Sequence, residues 1–156
     1  MEQDILVLDV DGTVNTIEDA WGDSLTTTVD EFPLRLSRKM GEAISDLDTR
    51  IFWLSTWCFG FGATKNLQTI ADLMGLKFTK TLPTFNGDAK EQAMARFLQE
   101  EGPLVVWVDD DPGIDVKSIP DPYGRLIFVL VDHKTGITPQ VIEEIRIKKQ
   151  ERKASK

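Results

Sequence analysis

Residues 5–13 read Ile-Leu-Val-Leu-Asp-Val-Asp-Gly-Thr. The run Ile5–Val10 is apolar except for Asp9, as in a strand covered on both faces. Acids at its C-terminal end and Gly12 behind them mark where the chain leaves the sheet, since glycine permits a sharp turn. In open α/β sheets, ligands bind beyond the carboxyl ends of the strands. A second apolar run ends in the same way: Leu104–Val108 is followed by Asp109-Asp110-Asp111-Pro112. If the two strands are neighbours, up to five carboxylates converge at one sheet edge.

Outward from residue 13 the pattern alternates between strand and helix periods, which argues for an α/β fold with a parallel sheet. Residues 13–33 form a mixed stretch with a short strand expected over Leu25–Val29, a hairpin or flap. Leu36, Met40, Ile44 and Leu47 share one helical face, with Ser37 as N-cap. Strands are expected at Ile51–Leu54, near Leu76–Phe78 and at Leu126–Val131. A helix carries Leu67, Ile70, Ala71 and Met74 and stops at Gly75. Asp88 and Glu91 have capping-box spacing ahead of a helix that buries Ala93, Phe97 and Leu98. Thr138-Pro139 opens the last helix, which packs Val141, Ile142 and Ile145. One domain is expected over 1–149, with a basic, frayed tail over 150–156.

The chain has 156 residues and a formal net charge of −8, with 41% hydrophobic and 28% charged residues. These are globular values. The single cysteine, Cys58, excludes an internal disulfide and a multi-cysteine zinc site. The acidic start and short first apolar run do not read as a signal peptide, and no run approaches the length of a membrane span. A cytoplasmic setting and no membrane partner are expected. Residues 145–156 carry six basic residues and Glu151, whereas the rest of the chain is strongly acidic. Such a body repels polyanions unless a metal or a local basic patch intervenes. The terminal cations suit a helix C-terminus, with nucleic-acid contact as the competing reading.

Clustered carboxylates need a cation, and an oxygen-rich site suits Mg²⁺. Asp9 and Asp11 divide naturally into one carboxylate that attacks and one that moves protons. Ser55-Thr56 follows a strand and offers hydroxyls to a phosphate oxygen, and Lys90 sits at a helix start where anions bind. Trp21, Trp53, Trp57 and Phe59 are candidates for stacking on a base, set against the commoner core role of such residues. Cys58 reads as a small packed residue, and His133 carries no assigned role.

The ordered set Asp9-Val-Asp11-Gly12-Thr13, Ser55 or Thr56, Lys90 and Asp109-Asp110 resembles the haloacid dehalogenase (HAD) superfamily of aspartate-nucleophile phosphohydrolases. Trp53-Leu-Ser-Thr-Trp57 and Val106-Trp-Val-Asp-Asp110 look like small members linked with RNA repair, related to polynucleotide 3′-phosphatase domains. The resemblance spans roughly residues 4–131. It implies a Rossmann-like three-layer sandwich with a mainly parallel sheet, a hairpin flap and no large cap. It also implies an Mg²⁺-dependent phosphatase forming an aspartyl-phosphate. Asp9 would be nucleophile, Asp11 acid and base, and Ser55 and Lys90 the phosphoryl contacts. Gly12, Thr13, Thr56 and Trp57 would lie against substrate. The metal would sit on Asp9, the Asp11 carbonyl and Asp110, with Asp109 pairing Lys90. The implied partner is a phosphorylated substrate, a nucleic-acid 3′-phosphate or a nucleotide foremost. A small metabolite, a phosphoprotein and a noncatalytic binding module are the alternatives. Asp11 argues against a dehalogenase, which generally lacks that acid.

Overall fold

The computed structural model describes residues 2–155. Five strands form a parallel sheet in the order β5-β4-β1-β6-β7. They are β1 (Ile5–Leu8), β4 (Arg50–Trp53), β5 (Lys80–Thr81), β6 (Val105–Asp109) and β7 (Leu126–Leu130). The flap is an antiparallel pair, β2 (Leu25–Val29) and β3 (Phe32–Leu36). The helices are α1 (Arg38–Ser45), α2 (Ala63–Met74), α3 (Lys90–Phe97) and α4 (Pro139–Ala154). This is the three-layer α/β architecture expected, without a large cap. No helix among the described residues is long and apolar enough to cross a membrane.

The pleat explains the layers. Alternate residues of a strand face opposite sides, so Leu6 and Leu8 of β1 join one core while Ile5 and Val7 join the other. The first core is closed by Met40 and Ile44 of α1, Leu67 and Ile70 of α2, and Ile142 and Ile145 of α4. The second is closed by Ala93 and Met94 of α3 and by Leu98 at its C-terminal cap. Ser37 caps α1, its Oγ accepting the Met40 N–H at 3.0 Å. Thr138 caps α4, its Oγ1 accepting the Val141 N–H at 3.2 Å.

Four expectations change. The flap strands run to Leu36 rather than stopping at 33, because Val29, Leu34 and Leu36 are buried in the first core and anchor the hairpin at its root. The strand expected near Leu76–Phe78 forms at Lys80–Thr81 instead. Leu76 is buried, but Phe78 has φ 58° and points outward, so the chain kinks before it can pair with Phe52 and Trp53. The α3 cap shifts by one residue: Gln92 Oε1 accepts the Ala89 N–H at 2.8 Å, while Asp88 accepts the Phe85 N–H and an Arg96 guanidinium bond. Finally, residues 150–154 are helical rather than frayed. Lys149 and Lys153, one turn apart on α4, both reach the buried carboxylate of Asp4, at 3.1 and 2.7 Å. Burial opposes ionisation of Asp4, yet the two ammonium groups prevail and hold its carboxyl below the ordinary value. Arg152 bonds the Gly124 carbonyl, and Arg146 and Lys148 pair with Glu143 and Glu144. Lys156 lies outside the described residues.

Candidate active site

β1 sits at the centre of the sheet, with Leu8 in register with Trp53 on one side and Val108 on the other. The next residues therefore emerge together at one edge: Asp9 from β1, Ser55 beyond β4, and Asp109-Asp110 from β6. This is the switch point of the sheet, because the chain fills β4 and β5 on one flank before crossing to β6 and β7. Lys90, the first residue of α3, closes the group from the second layer.

Lys90 Nζ lies 2.7 Å from Asp109 Oδ2 and 3.3 Å from Asp9 Oδ1. Asp109 is fully buried, and its Oδ1 accepts the Asp111 N–H at 3.0 Å, so both of its oxygens are engaged. Asp110 rests on Gly12. A Cβ at Gly12 would meet Asp110 Oδ2 at 2.0 Å, and φ there is 80°, so only glycine fits. Carboxylate oxygens of Asp9, Asp109 and Asp110 all lie within 4.8 Å of one another.

Three carboxylates around one ammonium leave negative charge uncompensated. Burial, and then the charge of Asp109, push the Asp9 carboxyl up to about 7. Burial likewise raises Asp109, against the pull of Lys90. Burial would lower Lys90, but Asp9 and Asp109 outweigh it and keep the ammonium charged. The donor set fits a divalent cation: it is all oxygen, buried at Asp9 and Asp109 and half-buried at Asp110, and short of positive charge.

Asp11 faces elsewhere. Its carboxylate is exposed and clamped, Oδ2 accepting the Trp57 indole N–H at 3.0 Å and Oδ1 the Asn15 amide at 2.9 Å. Its side chain is therefore outside the carboxylate cluster, and only its main-chain carbonyl is left for the metal role expected of it. Asn15 in turn accepts the Arg35 N–H from β3 at 2.8 Å, tying the flap to this carboxylate. The sequence reading missed Asn15. Its signal is local: an amide, both donor and acceptor, four residues past Asp11 in a turn that returns the Gly12 N–H to the Asn15 carbonyl.

Ser55 is buried and caps a 3-10 turn over Thr56–Cys58, its Oγ accepting the Trp57 N–H at 3.2 Å. Its hydroxyl proton stays available to donate. Thr56 is exposed beside Asp11 and Trp57 in a cleft of about 310 Å³. Thr13, expected against substrate, is fully enclosed: its Oγ1 is buried without a partner among the described residues, and its carbonyl accepts the Ile137 N–H. Gly12 is explained by the room it gives Asp110.

Two candidate stacking residues are withdrawn. Trp53 is core, and Trp21 is half-buried with its indole bonded to the Ile137 carbonyl at 2.7 Å. Cys58 is packed, its thiol raised by burial and bonded to the Trp53 carbonyl. Asp111 is a turn residue, accepting the Gly113 N–H. Phe32 and Phe61, which the sequence reading did not single out, stand in the cleft with Trp57 and Phe59.

No curated protein and no solved structure matches the chain. A family model, however, matches residues 5–142, which include every carboxylate of the site and Ser55, Lys90 and the flap. That family is described as the HAD domain in Swiss Army Knife RNA repair proteins, and the chain belongs to it.

Proposed function

We propose that the protein hydrolyses phosphomonoesters at nucleic-acid ends, the 3′-phosphate foremost, through an aspartyl-phosphate on Asp9. The observation that carries this reading is the divergence of Asp9 and Asp11. One carboxylate is buried beside Lys90, and the other is held at the solvent side by Trp57 and Asn15. A nucleophile and a proton carrier need such different surroundings.

In the first step an oxygen of Asp9 attacks phosphorus and the bond to the leaving oxygen breaks. Asp11 gives that oxygen its proton. In the second step Asp11 takes a proton from water, whose oxygen attacks the same phosphorus. The bond to Asp9 then breaks and phosphate leaves. Lys90 and the Ser55 hydroxyl steady the phosphoryl oxygens, and Asp109 fixes Lys90. Mg²⁺ on Asp9, Asp110 and the Asp11 carbonyl would neutralise phosphoryl charge and keep Asp9 ionised.

The nucleic-acid end is favoured by the RNA-repair setting of the family and by a site that no cap domain covers. A module that only binds phosphate would need neither the paired acids nor their separation. The test is phosphate release from 3′-phosphorylated and 5′-phosphorylated oligonucleotides and an aryl phosphate, with Mg²⁺ or EDTA. Mg²⁺-dependent release from the 3′ end, absent in Asp9→Asn, is the expected result. Release from the aryl phosphate alone would leave the chemistry and remove the substrate. Wild-type and Asp9→Asn proteins behaving alike would remove both.

A further inference from the structure

The cleft beside Asp11 has a chemistry that phosphoryl transfer does not use. It lies between the flap tip and the segment 56–66. Its rings come from separate stretches of chain: Phe32 from β3, Trp57 from the 3-10 turn, and Phe59 and Phe61 from the loop before α2. Phe32 and Trp57 meet edge to face, with centroids 5.7 Å apart. Phe61 is fully exposed, and Phe32 and Phe59 are 60% and 40% exposed. Apolar rings gathered in water mark a surface that something covers.

Charge selects what covers it. The charged groups lining this cleft are Asp11 and Asp30, with no cation among them, so a phosphate is repelled. The nearest lining cation is across the flap strand, where Arg35 borders a neighbouring groove of about 520 Å³. Pro33 and Leu34 of β3 border both, and Asp11 stands at the junction. The far wall of the aromatic cleft is a polar pair, Asp30 Oδ2 accepting the Asn66 amide at 3.1 Å. A flat, uncharged ring with polar edges fits this surface, next to the group that protonates the leaving oxygen.

We infer that the cleft binds the nucleobase of the nucleoside bearing the scissile phosphate. The base stacks on Phe59 and Phe61, and its edge meets Asp30 and Asn66. A base in this cleft cannot remain paired, so the substrate is an unpaired end. This inference rests on the proposed reading of Asp11 as the acid at the leaving oxygen. A cleft of about 310 Å³ has room for one nucleoside, the one that bears the scissile phosphate.

The test uses three substrates: a 3′-phosphorylated single-stranded oligonucleotide, the same strand with a tetrahydrofuran abasic last residue, and a phosphotyrosine peptide. Turnover is measured for wild-type and Phe61→Ala proteins, and binding by anisotropy in the Asp9→Asn background. Phe61 touches no part of the reacting group and its ring is solvent-exposed, so the variant keeps its melting temperature. Stacking on an aromatic side chain predicts about a 5- to 150-fold preference of the wild type for the base-bearing end in kcat/KM. Phe61→Ala shrinks that preference several-fold and leaves the abasic rate unchanged. Equal turnover of base-bearing and abasic ends overturns the base subsite while the phosphatase reading stands. Base-dependent binding lost in Phe61→Ala, with no turnover of any substrate, keeps the subsite and overturns the phosphatase reading. Preference for the phosphotyrosine peptide overturns the nucleobase in favour of a tyrosine ring.

Discussion

Two carboxylates with one residue between them end in unlike environments because the chain leaves the strand between them. Asp9 still follows the sheet and is drawn into the core edge, whereas Gly12 turns the chain so that Asp11 faces the flap. The proposed division of labour makes a distinct prediction for Asp11→Asn. An aryl phosphate has a leaving group that departs without a proton, so the first step survives and the second, which needs a base, does not. Asp11→Asn therefore releases one burst of aryl alcohol per enzyme and then nearly stops. On a 3′-phosphorylated oligonucleotide no burst appears, and turnover falls by about 10²–10⁴-fold, the usual contribution of general acid–base catalysis. Rapid-mix measurement of aryl alcohol checks it. Asn15 was not legible as part of this arrangement, because its partner on the flap, the Arg35 N–H, is twenty positions away.

Among the elements, the flap shows most clearly how local chemistry and packing share the work. Val29 pairs with Phe32, leaving Asp30 and Glu31 as a two-residue turn. Both have positive φ, 50° and 68°. Such turns favour Asn-Gly or Asp-Gly because side chains beyond glycine are strained there. The hairpin persists because Leu34 and Leu36 are buried beneath it and Asp30 is tied to Asn66 of α2. Glu31→Gly relieves one strained position and stabilises the protein by about 0.5–1 kcal/mol, the gain from strain relief less the extra backbone entropy of glycine. Urea denaturation checks it. Helix starts marked by a hydroxyl, Ser37 and Thr138, were legible because a cap bonds within three residues. The start of α3 was misplaced by one, since Asp88 is spent on the preceding loop and on Arg96.

For the molecule as a whole, charge is the governing quantity. The net charge is −8, and the basic residues from Arg146 to Lys153 are engaged with Asp4, Glu143, Glu144 and the Gly124 carbonyl. That leaves the acidic site edge without compensation from the C-terminal helix. The Asp9 carboxyl is raised from 3.8 to about 7, so between those values the folded protein binds more protons than the unfolded chain. Stability then falls as pH rises through that window, and Asp9 contributes no further loss above it. Mg²⁺ reverses the effect by replacing the proton. At pH 8 and about a hundred times Kd it raises the melting temperature by roughly 5–10 °C, from ~2.7 kcal/mol of linkage at 2–4 °C per kcal/mol. At pH 5.5, where Asp9 holds its proton, the shift is smaller, and Asp110→Ala diminishes it at both values. Scanning fluorimetry at the two pH values measures all three. An equal shift in wild type and Asp110→Ala at pH 8 would remove Asp110 from the metal site.

Strand ends that carry acids, helix faces, the two hydroxyl caps and, through the ordered motif, the fold family can be read from the chain without its coordinates. These are legible because they rest on alternation, on the helical period and on bonds that close within a few residues. The fold puts β1 between β4 and β6, and this placement brings about the Lys90–Asp109 pairing that the resemblance implied, with Asp9 beside it. The tertiary structure alone decided which aromatics are core and which stand in the cleft: Trp53 is buried while Phe61 is open to solvent. The same holds for the pairing of Asp4 with the last turns of α4, across nearly the whole length of the chain. The physical reason is the same in each case. Residues far apart in the chain meet only when the buried faces of the sheet choose their neighbours, and no local pattern encodes that choice.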